Sequence, residues 1–196
     1  ASAIINNIRD IKEAFAEISP GIRFSVKSCP NLSILKLISE AGCGMDVVSG
    51  GELERASLAG VDAKDIVYAG VGKSRLEIAA ALSGKHSLGS KIFGSPYSRV
   101  DLRSRGPIGR FNIESEQELV AIANIAKDLG VTARASLRVN PDVTSGGHAY
   151  TDTGVRETKF GIDYNTVVDF FLRRKDTEGL VLDGLHLHIG SPVVNP

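Results

Sequence analysis

Only two cysteines, Cys29 and Cys43, occur in 196 residues, which is too few for a disulfide framework. Both are expected as reduced thiols, and the protein as cytoplasmic. Neither charge is in excess, because Lys and Arg total 23 and Asp and Glu total 23. Without a basic surplus, nucleic acid and anionic membrane are excluded as expected partners, and a small molecule leads. No apolar run approaches the ~18 residues a membrane span requires. Ala1-Ser2-Ala3 opens a helical pattern rather than a secretory signal. The composition that remains, 42% hydrophobic and 23% charged, suits one globular domain or part of one.

Two kinds of segment alternate. Strand-like runs fall near 23–27, 45–49, 66–70, 110–114, 133–139 and 181–189. Helical patterns fall near 3–18, 31–42, 51–60, 74–83, 115–129 and 163–175. Phe24, Met45 and Ile66 begin successive strands, one βα unit apart. Ser115 with Glu118 predicts a capping box, and Gly42, Gly60 and Gly130 predict left-handed helix stops. Such alternation builds a parallel sheet with helices outside it. A doubly wound open sheet and a (β/α)8 barrel both satisfy it. A barrel takes eight units and about 250 residues, so six strands make it an incomplete one. Residues 84–109 break the rhythm and read as an insertion or surface excursion carrying Arg99, Arg103 and Arg105.

Lys27 carries the most chemical information. It ends the alternating run of residues 22–27, and Pro30 with Asn31 then breaks the strand. An amine at a strand-to-helix turn stands where α/β proteins build sites, and a lysine there is able to hold an aldehyde as an imine. Alone it better suits a solvated strand end. Val71-Gly72-Lys73-Ser74 resembles the end of a phosphate-binding loop, but Val67 stands where that motif needs its first glycine, so the reading is rejected.

His186 and His188 alternate on an apolar strand and point to one side. They suit zinc poorly, since no companion His/Asp cluster is visible, and no metal is expected. A better use has one imidazole stacked on a planar cofactor. Gly190-Ser191 follows as a turn suited to a phosphate, and Ser49-Gly50-Gly51-Glu52 offers similar chemistry just after Asp46. Ordinary loop and cap chemistry accounts for most such glycines. Arg138 lies in the run Leu137-Arg138-Val139, where a buried cation needs an anion: Asp46, a bound phosphate or carboxylate, or a structural partner.

Taken in order, these segments resemble the pyridoxal-phosphate-dependent decarboxylases of the alanine-racemase-like, fold-type III barrel class. The carrying segments are Phe24–Asn31, Gly44–Leu53, Phe111–Ser115, Leu137–Val143, His148–Ile162 and His188–Ser191. His148, Tyr150 and the run Lys159-Phe160-Gly161 favour the diaminopimelate branch over the ornithine and arginine branches. The resemblance implies an α/β barrel of the TIM type, incomplete here, with residues 1–196 forming one partial domain and the family's β domain lying outside it. It implies pyridoxal 5'-phosphate as cofactor and meso-2,6-diaminopimelate as the substrate converted to L-lysine and carbon dioxide. A racemase, another decarboxylase or a non-catalytic relative remains open on the same fold.

By the same resemblance Lys27 is the imine lysine, His188 stacks on the pyridine ring, and Ser191 bonds the phosphate. Asp46, Glu52 and Arg138 are the polar neighbours holding them. Lys159 supports a homodimer interface and composite site. Two features depart from the family. Cys29 stands where asparagine is frequent, and 84–109 exceeds the usual link. The family's later phosphate loop and second-domain residues find no counterpart, so this span alone is expected to be inactive.

Overall fold

The computed structural model describes residues 1–84, 106–140 and 161–188. They fall into two compact units, Ala1–Gly109 and Arg110–Pro196.

In the first unit, helix α1 (Ser2–Ala14) precedes three repeats of strand and helix. Strands β1 (Arg23–Ser25), β2 (Gly44–Val47) and β3 (Ile66–Tyr68) pair in parallel, with Ser25 beside Asp46 and Asp46 beside Val67. Helices α2 (Leu32–Glu40), α3 (Gly50–Leu58) and α4 (Arg75–Ser83) follow them in turn. The alternate residues Met45, Val47, Ile66 and Tyr68 are fully buried together with Leu35, Leu53 and Ile78. Each such side chain removed from water contributes about 1.5–3 kcal/mol, so this layer holds the unit together. Gly42 and Gly60 end α2 and α3 at positive φ, as their sequence positions predict.

The strands are shorter than the sequence suggested. β1 stops at Ser25, and Val26–Ser28 turn into a single 3-10 turn that buries Val26. Lys27 therefore stands on a helical turn rather than at a strand end. Burial also explains the cysteines: Cys43 is a free, buried thiol whose pKa burial pushes up, while Cys29 is free and half-buried.

In the second unit, strands β4 (Arg110–Ile113), β5 (Ala133–Asn140) and β7 (Leu180–Leu187) are parallel, with β5 in the middle. Helix α5 (Glu116–Asp128) joins β4 to β5, and α6 (Val167–Arg174) leads to β7. A two-residue strand, β6 (Ile162–Asp163), pairs with Val139 and Asn140 and was not expected from the sequence. Val139 also pairs with Leu187, so β6 and β7 occupy opposite edges of β5. The helix expected over 163–175 loses its first turn to β6.

Register separates two faces of this sheet. Phe111, Ala135, Leu137 and Leu182 share an apolar face and are buried. Asn112, Ser136, Arg138 and His186 share the other. Among the described residues no helix is long and apolar enough to cross a membrane.

Candidate active site

The polar groups gather where strands end and helices begin. At the end of β1, Lys27 is exposed on a turn fixed from three directions. The Cys29 N–H donates to the Val26 carbonyl at 3.1 Å, the Ser28 hydroxyl donates to the Ser25 carbonyl at 2.7 Å, and Arg55 donates to the Pro30 carbonyl at 3.1 Å. Asn31 then caps α2 by accepting from Ser33 and Ile34. The lysine thus projects from a rigid base, with its amine open to an incoming molecule. Asp46 lies on the neighbouring strand and accepts from the Ser25 hydroxyl at 3.2 Å.

In the Ser49-Gly50-Gly51-Glu52 turn, whose composition suits a phosphate, side chains engage two of the backbone donors and the N–H of the residue before it. Val48 N–H donates to Glu52 at 2.8 Å, Gly50 N–H to Glu77 at 2.6 Å, and Glu52 N–H to the Ser49 hydroxyl at 3.3 Å. Glu52, expected beside the lysine and cofactor, therefore braces its own turn. Glu77 ties that turn to α4 and closes a capping box with Ser74. Burial pushes the Glu77 carboxyl up. Hydrogen bonds from the Ser74 N–H and hydroxyl, the Gly50 N–H and the Tyr68 hydroxyl outweigh this and leave it below the ordinary value. Ser74, whose Gly-Lys-Ser run only resembles the end of a phosphate-binding loop, is this cap. Lys73 beside it donates to the Gly70 carbonyl at 2.7 Å.

The second unit carries a buried charge pair. Arg138 meets Glu114 at 2.8 Å, with side chains 7% and 3% exposed. Of the counter-charges the sequence left open, the structure shows a structural partner, Glu114. Glu114 follows β4 directly, and its other oxygen accepts from the Gly161 N–H at 3.1 Å. Gly161 is required there, since its φ is +77° and a Cβ would lie 2.8 Å from the Arg138 carbonyl. Glu118 accepts from the Glu114 N–H, and Ser115 from the Glu118 N–H, so the predicted box forms one residue displaced.

His186 is the register neighbour of Arg138, and His188 follows two residues later, half-buried. One face thus collects a cation with its carboxylate and an imidazole. Among the described residues no group of three acids, histidines or cysteines suits a metal. Ser191, Gly190, Lys159, His148 and His86, together with Arg99, Arg103 and Arg105, lie outside the described residues. Glu114 is the residue the sequence reading missed. Its signal was an acid two positions past Asn112, opposite a strand whose arginine needed a partner.

These features define a class. The family described as pyridoxal-dependent decarboxylase, pyridoxal binding domain, matches residues 1–196, and the chain belongs to it. Within that family it is diaminopimelate-decarboxylase-like. It is 38% identical over 194 residues to diaminopimelate decarboxylase of Neisseria meningitidis, covering 99% of this chain and 42% of that protein. The enzyme of Aquifex aeolicus is 36% identical over 97% of this chain and 40% of its own length. A solved structure of a Helicobacter pylori diaminopimelate decarboxylase point mutant, complexed with L-lysine, superposes with a TM-score of 0.82 at 35% identity, covering 98% of this chain and 44% of that one. The M. jannaschii enzyme with L-lysine gives 0.75 at 30% identity, over 97% and 41% of the two chains. The chain therefore spans about two fifths of the length of these relatives. Its fold is that of their barrel domain, an incomplete (β/α)8 barrel, and the doubly wound alternative is set aside.

Proposed function

We propose that this chain contributes the pyridoxal 5'-phosphate site of a decarboxylase that converts meso-2,6-diaminopimelate to L-lysine and carbon dioxide. The observation that carries the reading is Lys27, an exposed residue on a braced turn directly after β1. Similarity to diaminopimelate decarboxylases, two of them solved with L-lysine, supports the substrate.

The donor set fits the cofactor. Lys27 offers an accessible primary amine to an aldehyde. The Arg138–Glu114 pair and the two histidines form a polar face suited to a flat, charged ring. When bound, pyridoxal phosphate supplies the conjugated ring that takes up the electron pair left as carbon dioxide departs. Lys27 would hold the cofactor through its aldehyde, its amine being the group that chemistry requires. His188 would stack on the ring, and Ser191 would hold the phosphate. Asp46 orients the amine end of β1 through Ser25, and Glu52 keeps the neighbouring turn in place. Glu114 holds the Arg138 guanidinium still, so that its charge is fixed before any substrate arrives. Lys159 belongs to a homodimer interface that completes the site, and the enzyme works in the cytoplasm.

The test is to incubate the intact gene product with pyridoxal phosphate and meso-diaminopimelate. The reading expects stoichiometric carbon dioxide and L-lysine. Release from no diamino acid would refute it, and release from a different amino acid would redirect the substrate.

A further inference from the structure

We infer that Asp183 is a positioning residue that pins a β-bulge, and that this bulge presents His186 and His188 to the site. The inference rests on the proposed cofactor reading for its consequence, but its geometry is independent of it. Between β5 and β7 the register runs Ala135 with Leu182, then Ser136 with Gly184, leaving Asp183 as the extra residue. Before the bulge, the even-numbered Leu180 and Leu182 lie on the apolar face beside Ala133 and Ala135, and both are buried. After it, the even-numbered Gly184 and His186 lie on the polar face beside Ser136 and Arg138.

A regular strand has period two. If Asp183 took a place in the ladder, every later side chain would change face. Leu185 and Leu187 would then turn toward Arg138, and the histidines would turn away. The extra residue must therefore be held out of the ladder, and three contacts do so. The Asp183 carboxylate meets Arg110 at 2.7 Å and also Arg134. The same Arg110 guanidinium donates to the Ser136 hydroxyl at 2.8 Å. Gly184 leaves the space, since a Cβ there would lie 2.5 Å from the Arg110 nitrogen and 2.6 Å from the Ser136 oxygen.

This makes deletion milder than substitution. Asp183→Ala keeps the extra residue and removes its anchor, so the slipped register becomes accessible. Deleting Asp183 removes the need for a bulge, and Leu182 and His186 keep their present faces. Pyridoxal phosphate binding by the intact gene product is titrated. The visible circular dichroism of the bound chromophore and the protection of His188 from carbethoxylation are read alongside. We expect Asp183→Ala to weaken binding about tenfold, with loss of the dichroic band and of protection, while the deletion stays within about threefold of the parent. Asp183→Asn, which keeps an acceptor for one of the two guanidinium groups, should fall between them and serves if the alanine variant does not fold. A deletion as damaging as the substitution, or an alanine or asparagine variant indistinguishable from the parent, overturns the inference. A parent protein that itself fails to bind pyridoxal phosphate refutes the function reading instead. In that case carbethoxylation of His188 still ranks the variants by imidazole exposure, and equal rates in all of them would overturn the bulge.

Discussion

The turn after β2 and the turn after β4 are built with the same hardware. In each, a serine caps a helix by accepting from the N–H three residues on, Ser49 from Glu52 and Ser115 from Glu118. In each, that glutamate reaches back to the N–H of the residue before the serine, Val48 or Glu114. They differ in what that preceding residue carries. Val48 is apolar, whereas Glu114 is a buried carboxylate paired with Arg138. The capping device fixes the turn, and the residue ahead of it decides whether the turn is merely structural or belongs to a site.

Breaking the charged member of that comparison should have the largest effect. Glu114→Ala leaves the Arg138 guanidinium buried without its counter-charge and should cost roughly 3–5 kcal/mol in denaturant unfolding. The matching Val48→Ala should cost about 1 kcal/mol or less. Equal losses at the two positions would remove the distinction.

The shared hardware predicts similarity instead. Ser49→Ala and Ser115→Ala each remove one helix cap and should lower stability by about 1 kcal/mol apiece. Thermal or urea unfolding of both variants checks this, and a loss at only one turn would show that the two devices are not equivalent.

Glu77 sharpens the first-unit side, because it braces the Gly50 N–H from outside the turn. Its folded pKa is lowered, so its stabilisation is present above the unfolded carboxyl value of ~4.3 and fades as pH falls through the folded one. In that window the unfolded chain binds more protons, so acid favours unfolding. Glu77→Gln should therefore flatten the acid limb of the pH–stability profile, leaving parent and variant closer at low pH than at neutral pH.

The smallest effect on stability is expected at Lys27. It is exposed, so Lys27→Ala should change unfolding free energy by no more than about 0.5 kcal/mol. Abolished pyridoxal phosphate attachment in a fully folded variant would separate this residue's role from that of Glu114, where folding and site are entangled.

Much of the fold was legible in the sequence because helices and strands advertise themselves locally. Asn31, Ser74 and Ser115 cap helices near where their chemistry predicts, and Gly130 ends α5 in the left-handed region. The candidate site could be proposed from sequence only where one residue type in one place sufficed, as for Lys27, His186 and His188. What escaped depends on register. Arg138 plainly needed an anion, but choosing Glu114 over Asp46 requires knowing which strand ends lie side by side. The Ser49–Glu52 turn has the composition of a phosphate loop, and only the structure reveals that Gly50 and Glu52 donate to side chains there. The bulge at Asp183 shows in the sequence only as a phase shift, Leu180 and Leu182 giving way to Leu185 and Leu187, and the pairing register is what identifies it as a bulge.

The central claim is that Lys27 is the amine that holds the cofactor, and one measurement addresses it directly. The intact gene product is incubated with pyridoxal phosphate, reduced with borohydride, digested, and its modified peptides identified by mass spectrometry. The account predicts one pyridoxyl group per chain, on the peptide containing Lys27. A folded protein with Lys27 unmodified, or with label spread over surface lysines such as Lys36 and Lys64, would contradict it.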